Sequence, residues 1–185
     1  FRRVVDPAAL AAIGCNPSPG TEVFVSRLDG RSYLERLPDG TWRETRQDGT
    51  QMVYKPVTTT AAGGGGAPTG GAPAPVLVGE VTDRYGNVTE YRYDLAGRIE
   101  WIKDPVGLKT TFSYVGDRVS TITDPFGRTT QLTYNGKDLS SIRDPDGSMR
   151  SFSYDPQGRM TLEINKLGGH EVQVYGEHGR LIEAY

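Results

Sequence analysis

From Val76 to the end of the chain, apolar and polar positions alternate in short runs, each closed by a glycine turn. The turn glycines are Gly86, Gly97, Gly107, Gly116, Gly127, Gly136, Gly147, Gly158, Gly168 and Gly179, 9 to 11 residues apart. Alternation at period two puts successive side chains on opposite faces of a strand, and glycine supplies the positive φ that tight hairpin turns need. The pattern therefore predicts antiparallel strands laid side by side in chain order. Counting by twos gives one face as Thr89-Tyr91-Tyr93, Thr110-Phe112-Tyr114, Thr130-Leu132-Tyr134 and Arg150-Phe152-Tyr154. The opposite face carries Glu90, Arg92, Lys109, Thr111, Ser113, Gln131, Thr133 and Ser153, which are polar.

The runs are copies of one unit. Asp-x-x-Gly recurs at Asp83, Asp104, Asp124 and Asp144, with Asn165 to Gly168 as a variant. A tyrosine stands seven residues after each turn glycine: Tyr93, Tyr114, Tyr134, Tyr154 and Tyr175. A second turn follows, with arginine behind it at Arg98, Arg118, Arg159 and Arg180. A fixed period of this length marks a stacked architecture, in which no unit buries its own face without neighbours. The fifth copy departs from the alternation: Gln173 stands where Phe is expected, with Val172 and Val174 out of phase. That departure predicts a β-bulge near Gly168-Gly169.

Ahead of the repeats, Glu22–Leu28, Arg31–Leu37, Thr41–Gln47 and Thr50–Lys55 read as strands separated by Asp29-Gly30, Asp39-Gly40 and Asp48-Gly49. Asp-Gly between strand-like runs is the strongest short hairpin signal. Residues 6–14 predict one short helix, with Asp6 as cap, Pro7 in the first turn and Gly14 at the exit. Residues 58–75 hold Thr, Ala, Gly and Pro and lack the side chains of a core, which predicts a linker or long surface loop. The expected organisation is 1–57, a helix plus hairpin meander; 58–75, the linker; and 76–185, five repeats.

Composition agrees. In 185 residues there are 24 Gly, 12 Pro and twice as many Tyr (10) as Phe (5), as expected of many short strands and tight turns. A net charge of −2 argues against a general nucleic-acid binder. No apolar run approaches the ~20 residues of a membrane-spanning helix, so no membrane insertion is expected. Cys15 is the sole cysteine, which excludes an internal disulfide. The first residue is Phe rather than Met, so a fragment or processed product is expected.

The strings Tyr93-Asp94-Leu95-Ala96-Gly97-Arg98, Asp124-Pro125-Phe126-Gly127-Arg128-Thr129 and Tyr154-Asp155-Pro156-Gln157-Gly158-Arg159 resemble the YD repeat of the rearrangement-hotspot (RHS) family. That repeat is shared with the C component of insecticidal Tc toxins and with teneurins. The resemblance covers residues 80–185; the Asp-Gly hairpins of residues 27–55 look like more degenerate copies. It implies a continuous sheet that spirals into a hollow shell, enclosing a toxic C-terminal domain in bacteria and serving adhesion in teneurins. It also implies a secreted or cell-surface setting. Ten strands at ~4.8 Å make a sheet about 48 Å wide. Closed on itself that gives a ring about 15 Å across, too narrow for a folded 100-residue cargo with a radius of gyration of ~13 Å. The expected roles are an arc of a longer shell or a unit that joins copies of itself through sheet edges. Any toxin domain would lie beyond Tyr185.

Candidate chemistry is sparse. Asp104-Pro105-Val106-Gly107-Leu108 resembles the string at which the family's shell cleaves itself, yet it sits in register with sister turns, and Ile99 stands where the family has proline. The repeated turn aspartates invite a calcium reading; turn initiation explains them, and Asp144-Pro145-Asp146-Gly147 lacks a distal glutamate. His170 and His178 fall in the last repeat and do not make a metal set with the remote Cys15. The register arginines are expected to pair with turn aspartates or solvate strand ends. Tyr85, Tyr91, Trp101 and Phe126 offer a sugar-stacking platform or, more simply, sheet packing. The sequence therefore predicts a non-enzymatic structural protein without cofactor or metal. Its defining residues are the turn glycines, the tyrosines and the register arginines. A self-assembling fibre subunit and an adhesion or glycan-binding module are the alternatives.

Overall fold

A computed structural model describes residues 1–57 and 76–185, so the expected linker, 58–75, lies outside the described residues. Among the described residues the fold is all-β, an antiparallel meander of sixteen strands with one short α-helix and one 3-10 turn. It divides into two compact units, residues 1–109 and 110–185.

The first unit holds β1 (Arg2–Val4), helix α1 (Pro7–Ala12), β2 (Glu22–Val25), β3 (Tyr33–Arg36), β4 (Trp42–Thr45), β5 (Gln51–Pro56), β6 (Val76–Thr82), β7 (Val88–Tyr93) and β8 (Ile99–Lys103). Each strand pairs antiparallel with the next. Directly opposed residues share a face. One row runs Val4, Val23, Glu35, Arg43, Val53, Glu80, Glu90, Lys103. Its reverse runs Arg3, Phe24, Leu34, Glu44, Met52, Val81, Thr89.

Helix α1 lies on the Val4–Val23 face. Asp6 caps it by accepting the Ala8 N–H at 3.0 Å, Pro7 opens it, and Gly14 leaves it at φ +72°. At six residues it cannot hold itself together in water and depends on packing. That packing is the buried apolar cluster of the described residues: Leu10, Cys15 and Val23, at 7, 3 and 2% exposure, with Val4, Ile13, Val25 and Tyr33 against it. Strand β1 was not foreseen, and β2 to β4 end earlier than the expected runs. The turn after β2 absorbs the difference, with the Ser26 N–H donating to the Ser32 carbonyl and the Gly30 N–H to the Ser26 carbonyl.

The second unit holds β9 (Lys109–Val115), which begins at the boundary, then β10 (Arg118–Thr123), β11 (Thr129–Asn135), β12 (Asp138–Arg143), β13 (Met149–Tyr154), β14 (Met160–Ile164), β15 (His170–Tyr175), a 3-10 turn (Glu177–Gly179) and β16 (Leu181–Ala184). These strands also pair in chain order. The expected faces are present. Phe112 opposes Ile122, Leu132 opposes Ile142, and Phe152 stands on the same side. The reverse carries Ser113, Thr121, Gln131 and Arg143 in one row. The side chains of β9 to β14 are mostly half-buried, as in a sheet with no second layer over it, and the turns and β16 are exposed.

The fifth repeat corrects one expectation. No bulge occurs near Gly168-Gly169: β14 and β15 pair regularly from Leu162↔Val172 to Ile164↔His170. Instead the faces exchange polarity. Phe152 is followed in its row by Glu163 and Glu171, with Gln173 two residues on, while Leu162, Ile164 and Val172 occupy the side that earlier strands keep polar. The out-of-phase valines are a real inversion rather than a shift of register.

Candidate functional site

The repeated turn is closed by its own first residue. In the turn at Asp124, Oδ1 accepts the N–H groups of Phe126 and Arg128, both at 2.9 Å, and Oδ2 accepts Nε of Arg128 at 2.6 Å. Backbone bonds from the Asp124 N–H to the Arg128 carbonyl (2.9 Å) and from the Gly127 N–H to the Asp124 carbonyl (3.0 Å) complete it. The same frame recurs at Asp83, Asp94, Asp104, Asp155 and, with an amide oxygen in place of a carboxylate, Asn165. Such Asx frames satisfy backbone donors that a tight turn leaves without ladder partners. The turn at Asp144 differs: Asp146 accepts the Ser148 N–H, and Asp144 pairs with Lys166.

Glycine closes each frame. The predicted Gly86, Gly97, Gly107, Gly127, Gly147, Gly158, Gly168 and Gly179 all have φ between +73° and +90°. Gly107, at φ +90° with no atom within 4 Å of a built Cβ, is required for backbone conformation alone. At Gly169 a Cβ would meet Nδ2 of Asn165 at 2.6 Å, so a larger residue there would make the Asn165 side chain shift.

Each repeat tyrosine faces a register shift in the following strand. Tyr93 opposes Ile99 while Arg92 opposes Trp101, leaving Glu100 as the extra residue. Ser120, Ser140, Thr161 and Ile182 are extra opposite Tyr114, Tyr134, Tyr154 and Tyr175. Gly79 is extra opposite Tyr54, which places a sixth copy of the device in the first unit. These bulges were not foreseen. Two of them repair their own ladder break: the Ser120 hydroxyl donates to the Ser113 carbonyl at 3.2 Å and the Ser140 hydroxyl to the Thr133 carbonyl at 3.0 Å. A small hydroxyl residue two positions after Arg118, Asp138 and Arg159 marks three of them, at Ser120, Ser140 and Thr161, while Gly79, Glu100 and Ile182 carry no such mark.

The arginines take two positions. Arg98 and Arg159 pair with Asp94 and Asp155 at 2.7 and 2.6 Å. Arg118 lies over the ring of Tyr134 at 5.4 Å and Arg159 over Tyr175 at 4.8 Å, so each reaches a tyrosine sixteen residues on. Arg118 also donates to the Gly136 carbonyl. Arg180 is exposed, and its turn begins with Gly176 instead of an aspartate. Asp138 interrupts the series: it occupies the arginine position sixteen residues before Tyr154. Burial, with Asp138 added to it, pushes the Tyr154 phenol up. Burial likewise raises Tyr93, next to Tyr91.

The four aromatic residues considered for sugar stacking do not form one platform. Tyr85 is 73% exposed at a turn, with the Arg84 guanidinium 4.6 Å from its ring centre. Tyr91 opposes Ile102 on one face of the sheet, and Trp101 opposes Arg92 on the other. Phe126 is a turn tip of the second unit, 73% exposed. Trp101 borders a cavity of about 320 Å³ with Lys55, Leu77, Glu80 and Glu90, and Nζ of Lys109 stands 4.7 Å from its ring centre.

The remaining candidates are dispersed. Oδ1 of Asp104 accepts the N–H groups of Val106 (3.0 Å) and Leu108 (2.8 Å), so the string resembling a cleavage site is a closed turn. His170 sits on β15 and His178 in the 3-10 turn at φ +62°. Among the described residues no group of three or more His, Cys, Asp or Glu is arranged to hold a metal. Cys15 is a free, buried thiol, raised by desolvation and then by Glu35. Glu35 is 3% exposed and bonds Arg43 at 2.7 Å. No helix among the described residues is long and apolar enough to cross a membrane.

These features define a stacked-hairpin β-repeat protein. Residues 134–170, which span the turns at Asp144, Asp155 and Asn165, match the RHS Repeat family. The resemblance to RHS/YD-repeat proteins therefore stands, and the family match lies in that segment. A crystal structure of TcdB2-TccC3-TEV is similar over 89% of this chain, with 16% identity and a TM-score of 0.51. A second crystal structure, TcdB2-TccC3, gives the same coverage and identity with a TM-score of 0.49. The likeness to the first is one of fold. The chain spans 12% of the length of each of these structures' chains. No curated protein matches.

Proposed function

We propose that this chain is a non-catalytic wall segment of a longer, secreted or cell-surface RHS-type protein, forming part of a β-shell around a toxin or other cargo domain. The observation that carries this reading is the second unit. Its strands are paired strictly in order. The side chains of β9 to β14 are mostly half-buried, and its turns are closed by their own residues. Such a sheet extends by adding hairpins and supplies a barrier. The repeat-defining glycines, tyrosines and arginines serve here to keep the wall continuous. The domain order of this reading is a helix-plus-meander entry over 1–57, a linker over 58–75 and the repeats over 76–185.

The test uses the parent protein. Deleting the hairpin 138–158 from it should expose an enclosed C-terminal domain to added protease, whereas the intact parent protects it. Equal protection in both forms refutes the wall role.

One further observation favours a second reading. The cavity beside Trp101, with its aromatic wall and two carboxylates, fits a glycan-binding module. A glycan array comparing Trp101→Ala and Tyr85→Ala decides it, and absence of any bound glycan dismisses it. The all-exposed β16 offers an edge for the fibre alternative, for which filaments in electron micrographs at micromolar concentration are the required result.

A further inference from the structure

A cleft of about 560 Å³ opens beside helix α1 in the first unit. Its volume falls inside the ~300–1,000 Å³ of small-molecule sites. Val4, Val25 and Ile13, all half-buried, form the apolar surface, and Ala9 of the helix borders it. Two exposed guanidinium groups stand at the margin, Arg2 on β1 and Arg27 in the turn after β2. Arg2 opposes Val25 across the β1–β2 ladder, so the cation and the apolar surface share one face.

Neither arginine has a carboxylate partner among the described residues, whereas the neighbouring Arg3 pairs with Glu22 at 3.0 Å. The acid in the adjacent turn, Asp29, is engaged elsewhere: it accepts the N–H groups of Arg31 and Ser32, both at 3.1 Å, and the Ser32 hydroxyl at 2.5 Å. Two unpaired forks beside an apolar cleft define a specific chemistry. A guanidinium presents paired donors that match a carboxylate, and an aliphatic chain gains by leaving water for an apolar surface.

We propose that this cleft binds a linear amphiphile with a carboxylate head and an aliphatic tail. The head lies between Arg2 and Arg27, and the tail runs along Val4, Val25 and Ile13 under the helix. The site is independent of the shell reading. It uses none of the repeat residues.

Calorimetric titration of the full chain with octanoate, decanoate and decyltrimethylammonium, each below its micelle concentration, tests the proposal. Decanoate should bind saturably at one site and more tightly than octanoate, by about fourfold for each added methylene. Decyltrimethylammonium should bind at least about tenfold more weakly, because its head meets two cations. Arg27→Gln, at an exposed position that leaves the fold intact by circular dichroism, should weaken decanoate by about tenfold or more. Ala9→Trp, which fills the cleft and spares both arginines, should abolish binding. The proposal is overturned by absence of saturable decanoate binding, by equal affinity for the cationic amphiphile, or by unchanged affinity in Arg27→Gln. Binding of hexaglutamate in place of decanoate also overturns it, since an acidic peptide needs no tail. Should Ala9→Trp fail to fold, the Arg27→Gln result decides alone.

Discussion

Asp138→Arg should stabilise the protein by adding, between neighbouring repeats, the arginine–tyrosine contact that the native sequence lacks at this position. In the flanking repeats the guanidinium centre stands 5.4 and 4.8 Å from the tyrosine ring centre, inside the distance at which the ring's negative face attracts a cation. Between them, at the equivalent position, Asp138 places a negative charge near Tyr154. At exposed sites such a contact contributes about 0.5–1 kcal/mol. For a chain of this size that is an increase in melting temperature of about 1–4 °C. Asp138→Asn removes the charge without adding a cation and so isolates the ring contact. Tyr154→Leu removes the ring and should cancel the gain. Thermal melts followed by circular dichroism give the three-variant comparison. A spectrophotometric titration of Tyr154 gives an independent readout: its phenol, now raised by burial and by Asp138, should titrate lower once the aspartate is replaced. The reasoning fails if Asp138→Arg is no more stable than Asp138→Asn, or if the gain survives Tyr154→Leu.

Three further outcomes follow from particular groups. Arg43→Ala leaves the 3%-exposed Glu35 without its partner and should cost about 3 kcal/mol, the lower range for breaking a buried pair, read from urea unfolding. The Asp155 carboxyl is held below its usual range by the Arg159 N–H and side chain against partial desolvation. Its contribution is therefore present above the ordinary carboxylate range and lost as pH falls through the depressed value. Asp155→Asn should flatten the acid limb of a stability-against-pH curve. The Tyr54 phenol, raised to about 12 by burial and by its bond to Glu44, has the opposite sign. Its contribution is complete below the ordinary tyrosine value and lost as pH rises towards about 12, so Tyr54→Phe should diminish alkaline unfolding in that window.

The sequence disclosed the ladder because its signals are local. A turn glycine at positive φ and an aspartate at the turn start act within five residues, and the period repeats them. The bulges escaped because the tyrosine strands alternate without interruption, and the phase shift falls in the short strands that follow, where Val119 and Ile122 share a face although three residues apart. The pairing of Tyr114 with Val119 while Ser113 meets Thr121 shows Ser120 to be extra. Strand β1 escaped for a different reason: three residues are too few to show a period, and Arg2–Val4 is extended because β2 offers it an edge. At β15 the pattern was legible but its cause was not. Val172 and Val174 were out of phase because the faces exchange polarity, and a tertiary arrangement of that kind leaves no local mark. The cleft beside α1 was beyond reach altogether. It depends on residues from β1, the helix and the turn after β2 meeting in space.

The self-closing turn has an effect on how such a protein can change. Where the first residue and the glycine hold a corner, the tip between them is free of scaffolding duty. Those tips include Tyr85, Val106, Phe126 and Leu167, at 73 to 96% exposure; the Asp144 turn, where Asp146 takes the Ser148 N–H, is the exception. Mutation can rewrite the free tips, from aromatic to aliphatic, while the framework beneath stays as it is. A lineage built on this plan can alter what its margin displays without renegotiating how it folds.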